Sequence, residues 1–437
     1  MASAIRVGRR VLTAAERLDP PELLMTDLTR TDDELTPATV EELGAWMSET
    51  AAQPAIAIFP AGGRTSLHYG FPLNRPARAL STAALTRVVD YPARDMTVTV
   101  EAGLRISDLQ SLLAGERQRL AVDIPQAHRA TVGGAIATNS SGPRRFGLGT
   151  LRDYVIGLSA VDAHGRAFKS GGRVVKNVAG YDLCKLLIGS LGTLAVVTQV
   201  TFKLKPIPEQ SAIIWASCGD LARLDQALEK LTGSATRPVM IDLLDPLAAA
   251  AVSQEARLPL PSSEFVLAIG LEGIAREVDW QIDQLRTELQ AVGITHLEVV
   301  TNDTVAPLWS ALTEYQIPSD EPATFRANLR PSRLIPFVRQ ACSMGVALQA
   351  HAASGIVHGH LPDSTPTLTQ AEPLLTMLRT LTREAQGNLV LTQCDDLWKA
   401  QLPVFGHPEQ SWSLMRKLKQ QLDPQGRLSP GRLFKDL

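Results

Sequence analysis

Two glycine-rich stretches offer the most chemistry. The first, 131–150, reads TVGGAIATNSSGPRRFGLGT and packs small residues around two polar turns. Glycine lets a backbone reach conformations and distances that a Cβ forbids, and successive exposed N–H groups can hold a phosphate. The second, Pro60-Ala-Gly-Gly-Arg-Thr-Ser-Leu67, follows an apolar run at 55–59 that reads as a strand. Two separate phosphate-cradling loops point to a ligand with a long pyrophosphate spine. Further along lie His351, His358 and His360, in AHAASGIVHGH. His358 and His360 alternate, so on a strand they share one face. That spacing fits a metal pair, and it fits packed or solvent-facing imidazoles equally. Arg326 and Arg330 share strand parity and are candidate carboxylate clamps. No G-x-G-x-x-G follows a strand with an acid ~20 residues on, which argues against a nicotinamide site.

Composition excludes several classes. The 437 residues are 45% apolar and 20% charged, the balance of a soluble globular protein of two or more domains. A net charge of −2 provides no basic field for nucleic acid. No segment approaches the ~18 apolar residues of a membrane span. Arg6, Arg9 and Arg10 precede a short apolar run, but Glu16 and Arg17 break it, so a signal peptide is not expected. Cys184, Cys218, Cys342 and Cys394 are far apart and form no C-x-x-C pair. Reduced, buried thiols in a cytoplasmic protein are the expectation, with no metal site carried by these cysteines.

The elements that must position these residues can be placed coarsely. A polar helix is expected before residue 53, with Thr36 as its cap and Pro37 at its first position. Strands are expected at 55–59, 96–101, 155–161 and 193–204, with a helix at 106–113. The β-rich run ends at Pro206 and Pro208, where the texture changes. Beyond it, strands near 212–216, 239–244, 265–271, 296–300, 325–329, 346–350 and 355–359 alternate with helices at 221–231, 277–290 and 332–342. Such alternation on one sheet predicts an α+β cap built from ferredoxin-like halves. The expected division is 1–210, 211–415, and a tail at 416–437 returning to the first domain.

The combination PAGGRTSL, TVGGAIATNSSG and Gly189-Ser-Leu-Gly-Thr-Leu194 resembles the FAD-linked oxidases of the vanillyl-alcohol-oxidase and p-cresol-methylhydroxylase type. Two fuller phrases, GGRVVKNVAGYDLCKLLIGSLGTLAVVTQVTFKLKP at 171–206 and DPQGRLSPGRLF at 423–434, narrow the resemblance to the E-subunit family of glycolate oxidase. The resemblance implies an FAD-binding domain with two subdomains, of the p-cresol-methylhydroxylase type, under an α+β cap. It places Pro60, Gly62, Gly63, Arg64, Thr65 and Ser66 in the pyrophosphate loop. Thr131, Gly133, Gly134, Thr138, Asn139 and Gly142 match the second flavin-contacting segment, with Pro125 ahead of it. Val196 follows the Gly192-Thr193 turn, toward the adenosine end. Covalent members carry His in the first loop or Cys in the second segment. Here Arg64 follows the paired glycines, no Cys lies in 131–150, and His68 and His128 only flank the loops, so non-covalent FAD is expected.

The resemblance also implies oxidation of a small 2-hydroxy acid, which needs a base for the hydroxyl proton and a cation for the carboxylate. His351, His358 and Arg326 are the candidate catalytic set. Relatives hold a divalent metal through a compact HxGDGNxH pattern that is absent here, and no metal is assigned. Two classes of function stay open. The chain is itself a flavin dehydrogenase for an acid such as glycolate or lactate, or it is a flavin-binding relay or structural subunit. In the second case a larger FAD subunit performs the oxidation, an iron–sulfur subunit takes the electrons, and membrane association comes through partners.

Overall fold

The structure is a computed structural model that describes residues 34–51, 56–172, 181–301, 304–317 and 320–437. The basic N-terminal stretch and positions 173–180 of the longest family phrase lie outside the described residues.

Helix α1 (Val40–Ala51) starts later than its sequence signals. Pro37 lies outside it, and Thr39 rather than Thr36 closes its first turn, accepting from the Glu42 N–H at 3.1 Å. The Glu42 carboxylate accepts in return from the Ala38 N–H, a reciprocal arrangement of capping-box type. The helix buries Leu43 and Met47 against Ile58, Leu80 and Leu428. Strands β1 (Ala57–Ala61) and β2 (Ala77–Ser81) pair in parallel. Two further segments flank them, with Leu35 beside Leu80 and Leu428 beside Ile58.

The second unit of the N-terminal domain is an antiparallel sheet. Its strands are β3 (Val88–Asp90), β4 (Thr97–Glu101), β6 (Val155–Val161), β7 (Ala167–Gly171) and β8 (Val196–Lys203), in the order β3-β4-β8-β6-β7. A short ribbon, β5 (Gln118–Arg119) with β9 (Lys205–Pro206), stands beside it. Helices α2 (Ile106–Ala114), α3 (Val132–Thr138), α4 (Arg145–Leu148), α5 (Leu151–Tyr154) and α6 (Leu183–Leu187) complete the unit. Helix α3 corrects the sequence reading, which made this stretch a loop. Its two glycines weaken it, but Val132, Ala135 and Ile136 are buried and hold it in place.

The cap is one eight-stranded antiparallel sheet. Strands β10 (Gln210–Cys218), β11 (Met240–Leu244), β12 (Phe265–Gly273) and β13 (His296–Thr301) lie in the order β13-β10-β12-β11. Strands β14 (Ala323–Asn328), β15 (Ala347–His351), β16 (Ile356–His360) and β17 (Asn388–Cys394) lie in the order β15-β16-β14-β17. Each set runs 4-1-3-2 from its outer edge to the seam, the ferredoxin-like order, and the halves join where β11 pairs with β15. Helices α7 (Leu221–Thr232), α9 (Ala275–Ala291), α11 (Leu334–Ser343) and α12 (Leu368–Glu384) pack one face around a core including Ile241, Leu243, Phe325 and Val357. On the other face, α8 (Pro246–Ala256) and α10 (Val305–Glu314) cover the first half through Met240, Leu244, Val252 and Trp309, and at the seam they reach β15, where Gln349 donates to the Leu312 carbonyl. Helices α13 (Asp396–Gln401) and α14 (Trp412–Leu422) lead to the tail.

Candidate active site

A cleft open to solvent is lined by Pro60, Gly62, Gly63, Arg64, Thr65, Ser66, Gly133, Gly134, Thr138 and Val196. Leu191, Gly192, Tyr69 and Arg432 join them. The paired glycines serve a close approach. A Cβ on Gly63 would sit 1.9 Å from the Arg129 carbonyl oxygen, and one on Gly62 would sit 2.2 Å from Thr131 Oγ1. Thr131 caps α3 and binds both segments together, its hydroxyl accepting from the Gly63 and Gly134 N–H groups, each at 3.3 Å. Gly134 differs from the other two. A Cβ there would meet only Thr131 Oγ1, at 3.3 Å, so its bare side opens on the cleft.

Other expected positions fall at the margins. Pro125 lines a smaller cavity with Thr65, Ser66 and Thr138. Asn139 ends α3 in the left-handed conformation at φ 51°. Gly142 is pressed against Asp123, whose Cβ a Gly142 Cβ would approach to 2.6 Å. Arg64 pairs with Glu34 at 2.8 Å. The sequence reading missed Arg432, a tail residue. Its buried guanidinium donates to the Leu67 and Phe71 carbonyls and lies 5.4 Å over the Phe59 ring. Burial lowers its pKa to about 10. The free thiols of Cys184, Cys218 and Cys394 are buried, and none of the four cysteines lines the cleft.

Across the cap sheet runs a row of polar side chains. Directly opposed residues of antiparallel strands share a face. Asp242 opposes His351. Gln349, on the same face of β15 as His351, opposes His358, and His358 opposes Arg326. The His351 and His358 rings meet edge to face with centroids 5.1 Å apart. Asp242 Oδ1 lies 2.9 Å from His351 Nδ1. At the other end of the row, Arg326 donates to the Tyr69 hydroxyl at 3.2 Å, and Tyr69 lines the cleft. The row therefore reaches the loop that forms the cleft wall. Arg330 does not belong to it, because β14 ends at Asn328 and Arg330 is exposed beyond that end. His360 shares the face of His358 but is engaged by Glu321 and the Tyr315 carbonyl, each at 2.9 Å.

Burial holds the His358 pKa well below its ordinary value, and neighbouring His351, Arg326, His360 and Arg145 add to the shift. His358 is thus a neutral imidazole at neutral pH. Burial, followed by Arg326, also lowers the pKa of Arg145. Arg145 and Arg326 are therefore neighbouring cations beside a neutral imidazole, a setting that attracts an anion. Among the described residues, no group of three or more His, Cys, Asp or Glu is placed to hold a metal ion. No described helix is long and apolar enough to cross a membrane.

Comparison with known proteins shows what the chain is similar to. Residues 34–171 match the FAD binding domain, and residues 207–324 and 406–433 match the C-terminal domain of FAD linked oxidases. An uncharacterized FAD-linked oxidoreductase of Mycobacterium tuberculosis is 29% identical over 92% of this chain and 90% of its own. The glycolate oxidase subunit GlcD of Bacillus subtilis is 24% identical over 92% of this chain and 89% of its own. The Escherichia coli glycolate oxidase subunit GlcE is 34% identical, but over 32% of this chain and 41% of its own. The narrower E-subunit resemblance thus spans a third of the chain, while the D-subunit likeness runs nearly its whole length. The structure of p-cresol methylhydroxylase with substrate bound has the same fold, with a TM-score of 0.70 at 14% identity over 91% of this chain and 88% of that one. The glycine-lined cleft, with the bare side of Gly134 turned into it, suits a long cofactor. The chain is an FAD-dependent oxidoreductase, in which an FAD-binding domain of the p-cresol-methylhydroxylase type is joined to the C-terminal domain of the FAD-linked oxidases.

Proposed function

We propose that the chain oxidises a small 2-hydroxy acid to the 2-oxo acid, acting on a CH–OH donor as one flavin-bearing subunit of a glycolate-oxidase-like assembly. FAD, when bound, supplies the acceptor for the two electrons taken from the carbinol carbon. In this reading the loop from Pro60 to Ser66, the 131–142 segment and Val196 hold the cofactor in residues 1–210 and 416–437. Residues 211–415, joined by Arg145 of the flavin domain, hold the acid. The observation that carries the reading is the pair of neighbouring guanidiniums, Arg145 and Arg326, beside neutral His358 and next to the Tyr69 wall of the cleft. Two guanidiniums bind a carboxylate, and an imidazole on the same face can take the hydroxyl proton. Two relatives are named as glycolate oxidase subunits, which supports an assembly; in this reading a larger FAD subunit and an iron–sulfur subunit complete it.

The test is anaerobic reduction of the FAD-loaded chain by glycolate and by D-lactate, followed optically. Slow bleaching by the chain alone that accelerates when partner subunits are added is the expected result. Rapid bleaching by either acid, at a rate matching steady-state turnover in air, would instead identify a free-standing dehydrogenase. If Arg326→Ala and His351→Ala both leave reduction in the assembly unchanged, the chain is a relay or structural subunit and the catalytic reading fails.

A further inference from the structure

We infer that Asp242 and Gln349 are positioning residues that lock His351 into the tautomer whose Nε2 accepts the substrate's hydroxyl proton. The inference rests on the reading of the cleft as a site of hydroxy-acid oxidation, and it adds two residues which that reading does not require. Asp242 is fully buried, on a strand that is otherwise apolar. Its carboxylate can only accept hydrogen bonds. Oδ1 faces His351 Nδ1 at 2.9 Å, so the proton of that ring sits on Nδ1. Oδ2 accepts from Gln349 Nε2 at 2.7 Å. The same amide nitrogen donates to the Leu312 carbonyl at 3.0 Å. Both partners of that nitrogen are acceptors, so the Gln349 amide cannot be turned the other way round. His351 is 3% exposed, and its Nε2 has no hydrogen-bond partner among the described residues. A proton on Nε2 would be a buried donor with nothing to receive it. The ring therefore keeps a bare Nε2, buried just behind the cleft lining, with His358 packed edge-on against it.

This network makes Asp242→Asn a specific probe. Gln349 must still donate, so the asparagine turns its oxygen to Gln349 and its NH₂ to His351. Nδ1 then becomes an acceptor, the proton moves to Nε2, and the base is lost although the side chain keeps its shape. The first measurement is the ¹⁵N spectrum of histidine-labelled, FAD-loaded full-length chain at neutral pH, with His351 assigned through a His351→Gln variant. The wild type should show a protonated Nδ1 and a bare Nε2, and Asp242→Asn should show the reverse. A wild-type His351 protonated on Nε2, or on both nitrogens, overturns the inference. The second measurement is flavin reduction by the acid in the assembly. Asp242→Asn should lower the maximal rate by on the order of 10²–10⁴-fold with KM nearly unchanged, since Arg145 and Arg326 are untouched. A reversed tautomer with an unaltered rate overturns the role of His351 as base. If no 2-hydroxy acid reduces the flavin of the wild type, the functional reading fails, whereas the tautomer lock is still decided by the spectrum.

Discussion

Arg326 and Tyr69 lie 257 positions apart in the sequence, and the guanidinium of the first donates to the hydroxyl of the second at 3.2 Å. The bond ties the cap sheet to the cleft wall, and it sets the direction of the arginine fork. Tyr69→Phe removes the acceptor but keeps the ring, which also meets Phe405 edge-on at 6.1 Å. A hydrogen bond to a charged group contributes about 1.5–3 kcal/mol. The expected result is a rise of about tenfold or more in KM for the acid, with unchanged flavin content. Steady-state kinetics at saturating FAD checks it, and a KM within twofold of wild type would remove Arg326 from substrate binding.

The cofactor loops call for two different glycine substitutions. Gly134→Ala should be tolerated, because its Cβ meets only a hydroxyl at 3.3 Å. Gly134→Trp should fold but lose the yellow colour, because the indole would fill the cleft. Gly63→Ala should instead destabilise the fold by about 3 kcal/mol or more, because its Cβ would lie 1.9 Å from a backbone carbonyl oxygen that cannot yield. Flavin absorbance and thermal melts separate the two effects. Full flavin content in Gly134→Trp would contradict the placement of FAD.

Acid precipitation should release the flavin into the supernatant. None of the four cysteines lines the cleft, and His128 is exposed. The candidate that remains, His68, is not among the residues lining the cleft. Flavin retained on the denatured protein would overturn non-covalent binding.

Glu272 on β12 accepts from Arg119 at 2.9 and 2.5 Å and from Arg144 at 2.7 Å. Arg144 also binds Asp123 and stacks 4.8 Å from the Trp309 ring. Burial alone would raise the Glu272 carboxyl, but the two arginines hold it below the usual range. Glu272→Gln takes the carboxylate partner from half-buried Arg119 and leaves Arg144 with Asp123 alone, at a cost of about 3 kcal/mol. A melting temperature lower by several degrees is expected, and a melt unchanged within one degree would show that the network adds nothing to the union of cap and flavin domain.

His68 makes stability depend on pH. Burial, then the charges of Lys399 and Arg432, lower its pKa from 6.5 to about 4. The unfolded chain therefore binds a proton near pH 6.5 that the folded chain refuses until about pH 4. The stability associated with neutral His68 is present above pH 6.5 and is lost as pH falls toward 4. His68→Gln should flatten the melting profile across that window relative to wild type. Parallel profiles for the two proteins would show that His68 titrates normally.

Much of the cap was legible because its strands and helices alternate with clear turns between them. The helix at 221–231 and the strand at 239–244 appear almost as expected. Helix α8 escaped because PLAAAAVSQEA has no polar stripe to mark a face, although Asp245 and Pro246 form a good N-terminal signal. Helix α3 escaped because paired glycines read as a turn, and only the Thr131 cap and tertiary burial make it helical. The cleft residues were legible as motifs. Their partners were not, because Tyr69, Arg145 and Arg326 meet only through the docking of cap on flavin domain. Asp242 and Gln349 left a fainter trace, each a lone polar residue inside an apolar run, and that trace would have justified a search for a buried partner.

The two cap halves share one plan, yet they treat the same side of the sheet differently. In the first half a helix is inserted between β11 and β12, and together with α10 it roofs the sheet with alanine, leucine and tryptophan. In the second half β15 turns into β16 within four residues, and nothing equivalent to α8 is inserted. The row of His351, His358 and Arg326 thus lies on the side of the sheet where no helix is inserted. Shortening one connection leaves out the apolar roof of the sister half, and buried polar side chains take its place on the sheet. A designer who wished to move the pocket to the other half would have to delete α8 before altering any side chain.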